Sequence, residues 1–205
     1  PNVYTWGGSG WTAFTGNLSE GSLNKGEALL VYVFADTDYD GTDNLPISLS
    51  VSGVEFEEGG VTLTHASADQ FNYTGNPFAS TIDFDDLTKT DLSNVVYVWD
   101  PNNADGDGGS DTNGNTGSWK TWNGSTGDII NGLIAPFQAF FVQNANTVTE
   151  ELGPSITFNT DDKATGGTFY GKSNSNSRNV IRLLMQGESS GNSTWFTFGE
   201  AGSTS

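Results

Sequence analysis

The sequence predicts an all-β protein, an antiparallel β-sandwich with long loops rich in Gly and Asp. Three observations support this fold class. Hydrophobic residues make up only 34% of the 205-residue chain, but aromatic residues make up 12%, which is enough to build a core. Short β-branched or aromatic runs alternate with clusters of Gly, Asn, Asp and Pro, which is typical of strands joined by turns. No stretch keeps an apolar i, i+3, i+4, i+7 pattern over three helical turns.

The individual elements follow from the same patterns. The runs that predict strands are 28–35, 47–53, 60–66, 94–100, 137–144, 155–159, 179–186 and 194–199. One or two helical turns are expected within 80–93, and a single turn is expected near residue 131. The polar stretches 102–117 and 171–179 are expected to be exposed loops, because strand patterns resume after each of them.

Two parts of the chain echo each other. Residues 3–36 and 96–145 both contain a strand with Trp, a Gly-rich turn, a second Trp, a polar gap and a strong strand. The echo predicts a repeated strand–loop–strand unit whose last strand is buried on both faces, and therefore a pseudo-duplicated sandwich. Residues 1–205 are expected to form a single domain, with a weak seam near 66–70.

The charge and composition exclude several classes of function. The chain has 25 acidic and 7 basic residues and a net charge of −18, so it is expected to repel nucleic acids and anionic membranes. The same charge attracts divalent cations or keeps a protein soluble in high salt. Cysteine is absent, which excludes disulfides and thiolate chemistry. No apolar run reaches the ~18 residues of a membrane span. The chain begins at Pro1, which predicts a mature protein or a fragment.

The segment ADTDYDGTDN (35–44) predicts a calcium site. Alternating oxygen ligands before a glycine resemble D-x-D-x-D-G calcium loops, in which the glycine permits a sharp bend. An EF-hand is rejected, because Ile47 stands where that loop has Glu and a strand precedes the loop. The alternative is a solvated, charge-tolerant turn. The expected ligands are Asp36, Asp38, Asp40, Thr42, Asp43 and Asn44, and a second, less regular metal loop would use Asp105, Asp107 and Asp111.

No pattern favours an enzyme. The adjacent acids Glu57/Glu58, Asp85/Asp86 and Asp161/Asp162 are expected by chance in so acidic a chain, and sequence cannot supply the separation that paired catalytic carboxylates need. The one histidine, His65, lies in a predicted strand and is expected to be a satisfied or surface residue. We therefore predict a protein without catalytic residues.

Tryptophans provide the other candidate site. Trp6, Trp11, Trp119 and Trp122 stand among Gly, Ser and Thr, and are expected in turns outside the strongest strands. Exposed aromatic rings of this kind stack on the apolar face of a sugar ring, so these residues predict a carbohydrate platform. The alternative is that the indoles cap the ends of the sandwich core.

An ordered set of motifs resembles a known family. The set comprises FNYTGNPFASTIDFDDL (71–87), VVYVWD, IAPFQAFFVQNA, SITFN, RLLMQGE and WFTFGEAGS. It is similar to the non-catalytic β-rich region of large surface and secreted proteins exported by the type IX secretion route. The matching residues are Gly75, Asn76, Pro77, Phe78, Ser80, Ile82, Asp83, Phe84, Pro136, Gln138, Ala139, Phe140, Phe141 and Val142. The resemblance implies export and a structural or adhesive role, and it supplies no catalytic residue. Asn76 is expected to form a turn with its own backbone, and Gln138 to hold a neighbouring loop.

Together these observations predict an extracellular or cell-surface structural and adhesive module, stiffened by Ca²⁺ and without catalytic activity. One alternative is a carbohydrate-binding module appended to a polysaccharide-degrading enzyme. Another is a self-assembling filament subunit joined by strand addition at an open sheet edge. The expected partners are a glycan or surface partner, or further copies of the chain, with no nucleic acid and no membrane span.

Overall fold

The computed structural model confirms the predicted fold class: the protein is all-β, with several antiparallel sheets in a sandwich-like arrangement. It describes residues 2–16, 23–32, 40–42, 53–54, 56–101, 117–148, 153–171, 179–186 and 191–198. In these residues the only helical segments are short 3₁₀ turns at Ile130–Gly132 and Thr160–Asp162. Within the same residues, no helix has the length and apolar character that a membrane crossing requires.

The strands alternate with tight turns along most of the described chain. In order they are β1 (Val3–Trp6), β2 (Trp11–Ala13), β3 (Leu30–Val31), β4 (Gly59–Thr62), β5 (Phe71–Gly75), β6 (Thr81–Asp83), β7 (Thr88–Thr90), β8 (Leu92–Asp100), β9 (Ser118–Trp122), β10 (Leu133–Ile134), β11 (Ala139–Asn144), β12 (Ser155–Phe158), β13 (Lys163–Ala164), β14 (Asn179–Gln186) and β15 (Gly191–Phe198).

The first compact unit comprises residues 1–31 and 56–171. Its largest sheet has the strand order β5-β11-β8-β9, and three smaller sheets have the orders β4-β12-β7, β10-β6-β13 and β2-β1-β3. All of these pairings are antiparallel. The predicted seam at 66–70 lies inside this unit.

The core of the first unit lies between the β5-β11-β8-β9 sheet and the β4-β12-β7 sheet. Val96, Val98, Phe140 and Val142 from the first sheet join a cluster that the second sheet completes with Val61, Ile156 and Phe158. The same cluster also contains the buried side chains of Phe78, Ile82, Phe84, Leu87, Ile129 and Ile134. Truncating any one of the fully buried phenylalanines to Ala is expected to cost about 3–5 kcal/mol.

The second unit comprises residues 32–55 and 172–205. Its described strands, β14 and β15, form an antiparallel two-stranded ladder that runs from the Asn179–Phe198 pair to the Gln186–Gly191 pair. These strands confirm the predicted runs 179–186 and 194–199.

Several sequence expectations change in the structure. The helical turns expected within 80–93 are wrong, because this stretch forms β6, a turn and β7. In the turn, the Asp83 Oδ1 atom accepts a hydrogen bond of 2.9 Å from the Asp85 backbone N–H. The turn expected near residue 131 is confirmed as the 3₁₀ turn at Ile130–Gly132. In the described part of the predicted strand 28–35, only β3 is a strand, and most of 47–53 lies outside the described residues.

The internal echo corresponds to two real hairpins, β1–β2 and β8–β9. In the second copy the strong strand of the pattern is β11, which comes after the short strand β10. It is buried on both faces, as predicted: Phe140 and Val142 are fully buried and Phe141 is 6% exposed. In the first copy the corresponding strand is β3, whose Val31 is exposed. The two copies therefore share a hairpin but not an equivalent central strand.

Two residues of the resemblance motif hold loops in place. The Asn76 Oδ1 atom accepts a hydrogen bond of 3.0 Å from the Phe78 backbone N–H, as expected. The Asn76 side-chain amide also donates to the backbone carbonyl groups of Ser80, Ile134 and Ala135. The Gln138 Oε1 atom accepts a hydrogen bond of 2.9 Å from the Tyr170 N–H, so Gln138 holds the neighbouring loop.

Candidate functional site

Each of the two echoed hairpins carries a pair of tryptophans on directly opposite positions. Trp6 stands opposite Trp11 in the β1–β2 hairpin, and their ring centroids are 5.4 Å apart in an edge-to-face arrangement. Trp99 stands opposite Trp119 in the β8–β9 hairpin, with centroids 5.1 Å apart. Cross-strand aromatic pairs of this kind stabilise a ladder by about 0.2–1 kcal/mol, so each pair stabilises its own hairpin.

Phe141 of β11 joins the two hairpins. Its ring centroid is 5.0 Å from that of Trp6 and 5.8 Å from that of Trp11. The Trp119 centroid, from the second hairpin, is 5.4 Å away. All three contacts are edge-to-face, an arrangement that favours aromatic pairs by about 0.5–1.5 kcal/mol each beyond the area they bury.

The remaining rings on this side of the sheet follow from strand register. Tyr73 of β5 and Tyr97 of β8 stand directly opposite Phe141, and residues two apart on a strand share a face. We use the term aromatic face for the set Trp6, Trp11, Phe71, Tyr73, Tyr97, Trp99, Trp119 and Phe141. Burial raises the pKa of the Tyr73 phenol well above its ordinary value, so this ring lies deep in the set.

Two indoles of the aromatic face remain open to solvent. Trp11 is 39% exposed and Trp119 is 47% exposed, whereas Phe141 between them is nearly buried. Trp11 meets Phe141 on the side of β5, where it also contacts Tyr73 at 5.1 Å, and Trp119 approaches from β9 at the opposite edge of the sheet. The face therefore presents two exposed rings on either side of a buried one.

Trp122 does not belong to the aromatic face. It lies three positions after Trp119 on β9, and an odd spacing places the two side chains on opposite faces of a sheet. Its ring packs against the core, and its Nε1 atom donates a hydrogen bond of 2.9 Å to the Asp85 Oδ2 atom. The expectation that the four platform tryptophans lie in turns is wrong, since all four are in strands.

A groove borders the aromatic face at the β5 edge. It has a volume of about 390 Å³ and lies between Trp6 and Gly26, and we call it the Trp6–Gly26 groove. Its lining comes from β1, the turn at residues 24–27, β4 with the residues after it, and β5. Trp6 and Tyr73 belong both to the groove and to the aromatic face, so the two features are continuous.

Two of the adjacent acids, Asp162 and Asp85, accept hydrogen bonds that hold the fold together. Asp162 is 5% exposed, and its Oδ2 atom accepts a hydrogen bond of 2.6 Å from the Asn159 N–H, which completes a capping box at the second 3₁₀ turn. Asp85 accepts the Trp122 hydrogen bond described above. Glu57 and Glu58 are exposed.

Lys89 lies among the acids of the β6–β7 turn. Its Nζ atom donates a hydrogen bond of 2.6 Å to the Phe84 carbonyl group and lies 4.4 Å from the centroid of the Phe84 ring. Burial lowers the pKa of Lys89, while the nearby carboxylates oppose that shift. Burial also raises the pKa of Asp83, with further contributions from the charges of Asp86 and Asp85.

His65 is a satisfied residue, as expected. Its backbone N–H donates a hydrogen bond of 2.9 Å to the Asn72 Oδ1 atom, and its carbonyl group accepts from both Asn72 and Asn144. Its Nε2 atom lies 3.4 Å from the Trp6 carbonyl oxygen. This network ties the end of the β4 segment to β5 and β11.

The described residues cover only part of the predicted calcium loop. Asp40 and Thr42 are exposed, and the Asp40 Oδ1 atom accepts a hydrogen bond of 2.7 Å from the Thr42 N–H. The described part of the chain contains no cluster of three potential metal ligands among His, Cys, Asp and Glu. The other predicted ligands, Asp36, Asp38, Asp43 and Asn44 in the first loop and Asp105, Asp107 and Asp111 in the second, lie outside the described residues.

Sequence reasoning missed the centre of the aromatic face. By sequence alone, Phe141 stands out only as a residue of the resemblance motif, and the predicted strands do not include β5. On β5 the usual pattern is inverted: the polar residues Asn72 and Thr74 are 2% and 1% exposed, while Phe71 and Tyr73 point to the outer side. The strict alternation of FNYTG was the available signal, because a period of two predicts a strand whichever set faces the core.

Comparison with known proteins yields one match. A family model described as Domain of unknown function (DUF8693) matches residues 15–201. A search of curated proteins and a search of solved structures each found no match. The matched region contains Trp119, Phe141 and the β5 strand, and it begins just after the β1–β2 hairpin that carries Trp6 and Trp11.

Proposed function

This chain belongs to the family described as Domain of unknown function (DUF8693), and from that premise we propose that it is a non-catalytic adhesive module that binds a glycan on its aromatic face. One observation carries the proposal: Trp11 and Trp119, exposed on two separate hairpins, both meet Phe141 on the same side of one sheet. Single exposed apolar residues are normal on protein surfaces, but grouped aromatic rings on a sheet mark a binding surface.

The geometry suits a sugar chain better than a small apolar ligand. Indole rings offer a flat apolar surface for the C–H face of a pyranose. With ~250 Å² for a complete Trp side chain, the exposed 47% of Trp119 is roughly 120 Å². A sugar that covers about half of this area removes ~120 Å² in total from water, counting both partners, or about 3 kcal/mol before ordering costs.

The net charge of the protein limits the charge of the ligand that it can bind. A chain with a net charge of −18 repels polyanions, so the proposed ligand is not strongly acidic. Adhesion to a glycan agrees with the export to the cell surface that the resemblance to type IX secreted proteins implies. We keep calcium in the proposal as a stiffener of the 35–44 loop, where bound Ca²⁺ would lower the repulsion among the carboxylates.

A glycan array followed by titration calorimetry tests the proposal. The first step is to screen the protein against neutral and anionic oligosaccharides and to measure Kd for the best ligand. Trp119→Ala is then expected to weaken binding by about 5–30-fold, which corresponds to a net loss of ~1–2 kcal/mol. The matched control is Trp122→Phe, which changes an indole on the same strand but on the opposite face.

The control separates binding from stability. Trp122→Phe removes the hydrogen bond to Asp85 and is expected to lower the unfolding midpoint without changing Kd. Equal losses of affinity in both variants would mean that binding only follows stability, and the aromatic face would not be the site. Absence of binding to every glycan would leave the structural role or the filament role of the chain, and light scattering at high concentration would detect the filament.

A further inference from the structure

We propose that the Trp6–Gly26 groove is a selective subsite of the aromatic face and holds one uncharged sugar ring of the bound glycan. This inference rests on the proposed function and specifies its substrate class. The groove is continuous with the face through Trp6, which contacts Trp11 at 5.4 Å, and through Tyr73, which contacts Trp11 at 5.1 Å. A sugar chain lying over Trp11 therefore reaches the groove at its next residue.

The open edge of β5 supplies the polar groups of this subsite. The Asn76 N–H donates to the Gln138 carbonyl group and the Asn144 N–H donates to the Gln70 carbonyl group, so the even-numbered residues of β5 bond to β11. Hydrogen-bonded pairs alternate along an antiparallel ladder. The N–H and C=O groups of Tyr73 therefore point away from β11 into the groove, and no hydrogen bond joins them to another residue in the described part of the chain.

Both ends of this edge are closed. At one end the Trp6 Nε1 atom donates a hydrogen bond of 2.9 Å to the Phe71 carbonyl group. At the other end the Gly75 N–H donates to the Gly26 carbonyl group at 3.2 Å. The open part is a single residue long, which is too short for an added strand. A donor and an acceptor side by side instead suit the hydroxyl groups of a sugar, which both donate and accept.

The size and the side walls of the groove agree with a small polar ligand. A volume of about 390 Å³ is near the lower end of the range for small-molecule sites. The exposed Thr62 and Thr64 line one wall, and the indole of Trp6 lines the end next to the aromatic face. Most of the lining residues are polar and Trp6 and Tyr73 are its aromatic residues, a composition that suits a ligand rich in hydroxyl groups.

The charged residues of the lining already have partners, and one of these partners, Asn24, also lines the groove. The Glu27 Oε2 atom accepts hydrogen bonds from the Asn24 N–H at 2.9 Å and from the Asn24 side-chain amide at 3.1 Å. The Lys25 Nζ atom lies 5.9 Å from the centroid of the Phe56 ring, and Phe56 is not part of the lining. The Glu27 carboxylate therefore stays at the wall of the groove, where it repels an anionic ligand, and this selects an uncharged sugar over a uronate or a sulfated sugar.

Filling the groove tests the inference. Thr62→Tyr places a large side chain in the groove from β4, and the matched control is Thr88→Tyr, at an exposed position on β7 of the same sheet. With the neutral oligosaccharide that binds the wild type best, Thr62→Tyr is expected to raise Kd at least about 10-fold, whereas Thr88→Tyr leaves Kd unchanged. In the wild-type protein, the amide NMR signal of Tyr73 is expected to shift on titration with the same sugar.

The outcomes distinguish this inference from the function on which it rests. If Trp119→Ala weakens binding but Thr62→Tyr does not and the Tyr73 amide does not shift, the groove is refuted and the aromatic face stands. If anionic sugars bind more tightly than neutral ones and depend on Thr62, the assigned substrate class is wrong. If no sugar binds the wild type, both proposals fail. If the Thr62→Tyr variant does not fold, the deciding measurement is the amide signals of Thr62 and Thr64 in the wild type, because these residues line the groove and do not belong to the aromatic face: a shift supports the groove and no shift refutes it.

Discussion

Replacing Asn76 tests how much the buried polar network contributes to stability. Asn76 is 2% exposed, and its side chain bonds four backbone groups. Asn76→Ala leaves the Phe78 N–H and the carbonyl groups of Ile134 and Ala135 without this partner. A buried polar group without a partner costs about 1–3 kcal/mol, so we expect a total loss of roughly 3–5 kcal/mol after partial relaxation.

Asn123 provides the matched control. Its Oδ1 atom accepts hydrogen bonds from the backbone N–H groups of Ser125 and Thr126, a turn similar to that of Asn76, but the residue is exposed. Water replaces these bonds when the side chain is removed, so Asn123→Ala is expected to cost about 1 kcal/mol or less.

Urea unfolding followed by tryptophan fluorescence measures both losses. The loss expected for Asn76→Ala is a large fraction of a typical stability of about 5–15 kcal/mol, so the variant should unfold at a much lower urea concentration. If Asn76→Ala and Asn123→Ala lower the midpoint equally, burial does not decide the cost, and the reasoning applied to this network is wrong.

Three further predictions follow from charge, packing and metal binding. Folding raises the pKa of Asp83. The contribution of Asp83 to the free energy of unfolding is therefore fully present below the pKa that Asp83 has in the unfolded chain, and it is lost as the pH rises through the pKa that Asp83 has in the folded protein. Asp83→Asn should therefore be more stable than the wild type at neutral pH, and this gain should disappear near about pH 3, which denaturation at both pH values checks. Phe141→Leu should lower stability by roughly 2–4 kcal/mol and weaken glycan binding, because several edge-to-face contacts of about 0.5–1.5 kcal/mol meet on this ring; Leu92→Val at the partly buried end of β8 serves as a control for binding. Removing Ca²⁺ with a chelator should lower the melting midpoint of the wild type more than that of Asp40→Asn, and an unchanged wild-type midpoint would count against the metal site.

The sequence predicts the fold class well because the relevant signals are local. Turn residues and β-branched runs determine strands over a few positions, and β11, buried on both faces, follows directly from its pattern. The strand β9 was not predicted, because its tryptophans stand among turn-type residues. The prediction of helical turns within 80–93 was wrong because the acidic and polar residues of this stretch suggest a helix. Instead, Ile82 is fully buried in the short strand β6, and Phe84 is fully buried in the turn that follows it.

The candidate site is predicted only in part. The tryptophans can be recognised in the sequence. Which of them share a surface depends on whether they are an odd or an even number of residues apart on a strand, and on which strands pair. Trp119 and Trp122 are three apart on one strand and therefore face opposite ways. Phe141 becomes the centre only when β11 pairs with β5 on one side and β8 on the other, which is long-range information that a local pattern does not contain. The groove depends on a strand edge and is equally non-local.

The meeting of both hairpins on Phe141 makes the aromatic face, and with it the glycan binding that we propose, depend on complete folding. The exposed indoles come from positions 11 and 119, more than a hundred residues apart, and both contact Phe141 of β11, an inner strand of the largest sheet. A chain with a melted centre would keep its tryptophans yet offer no surface to a ligand.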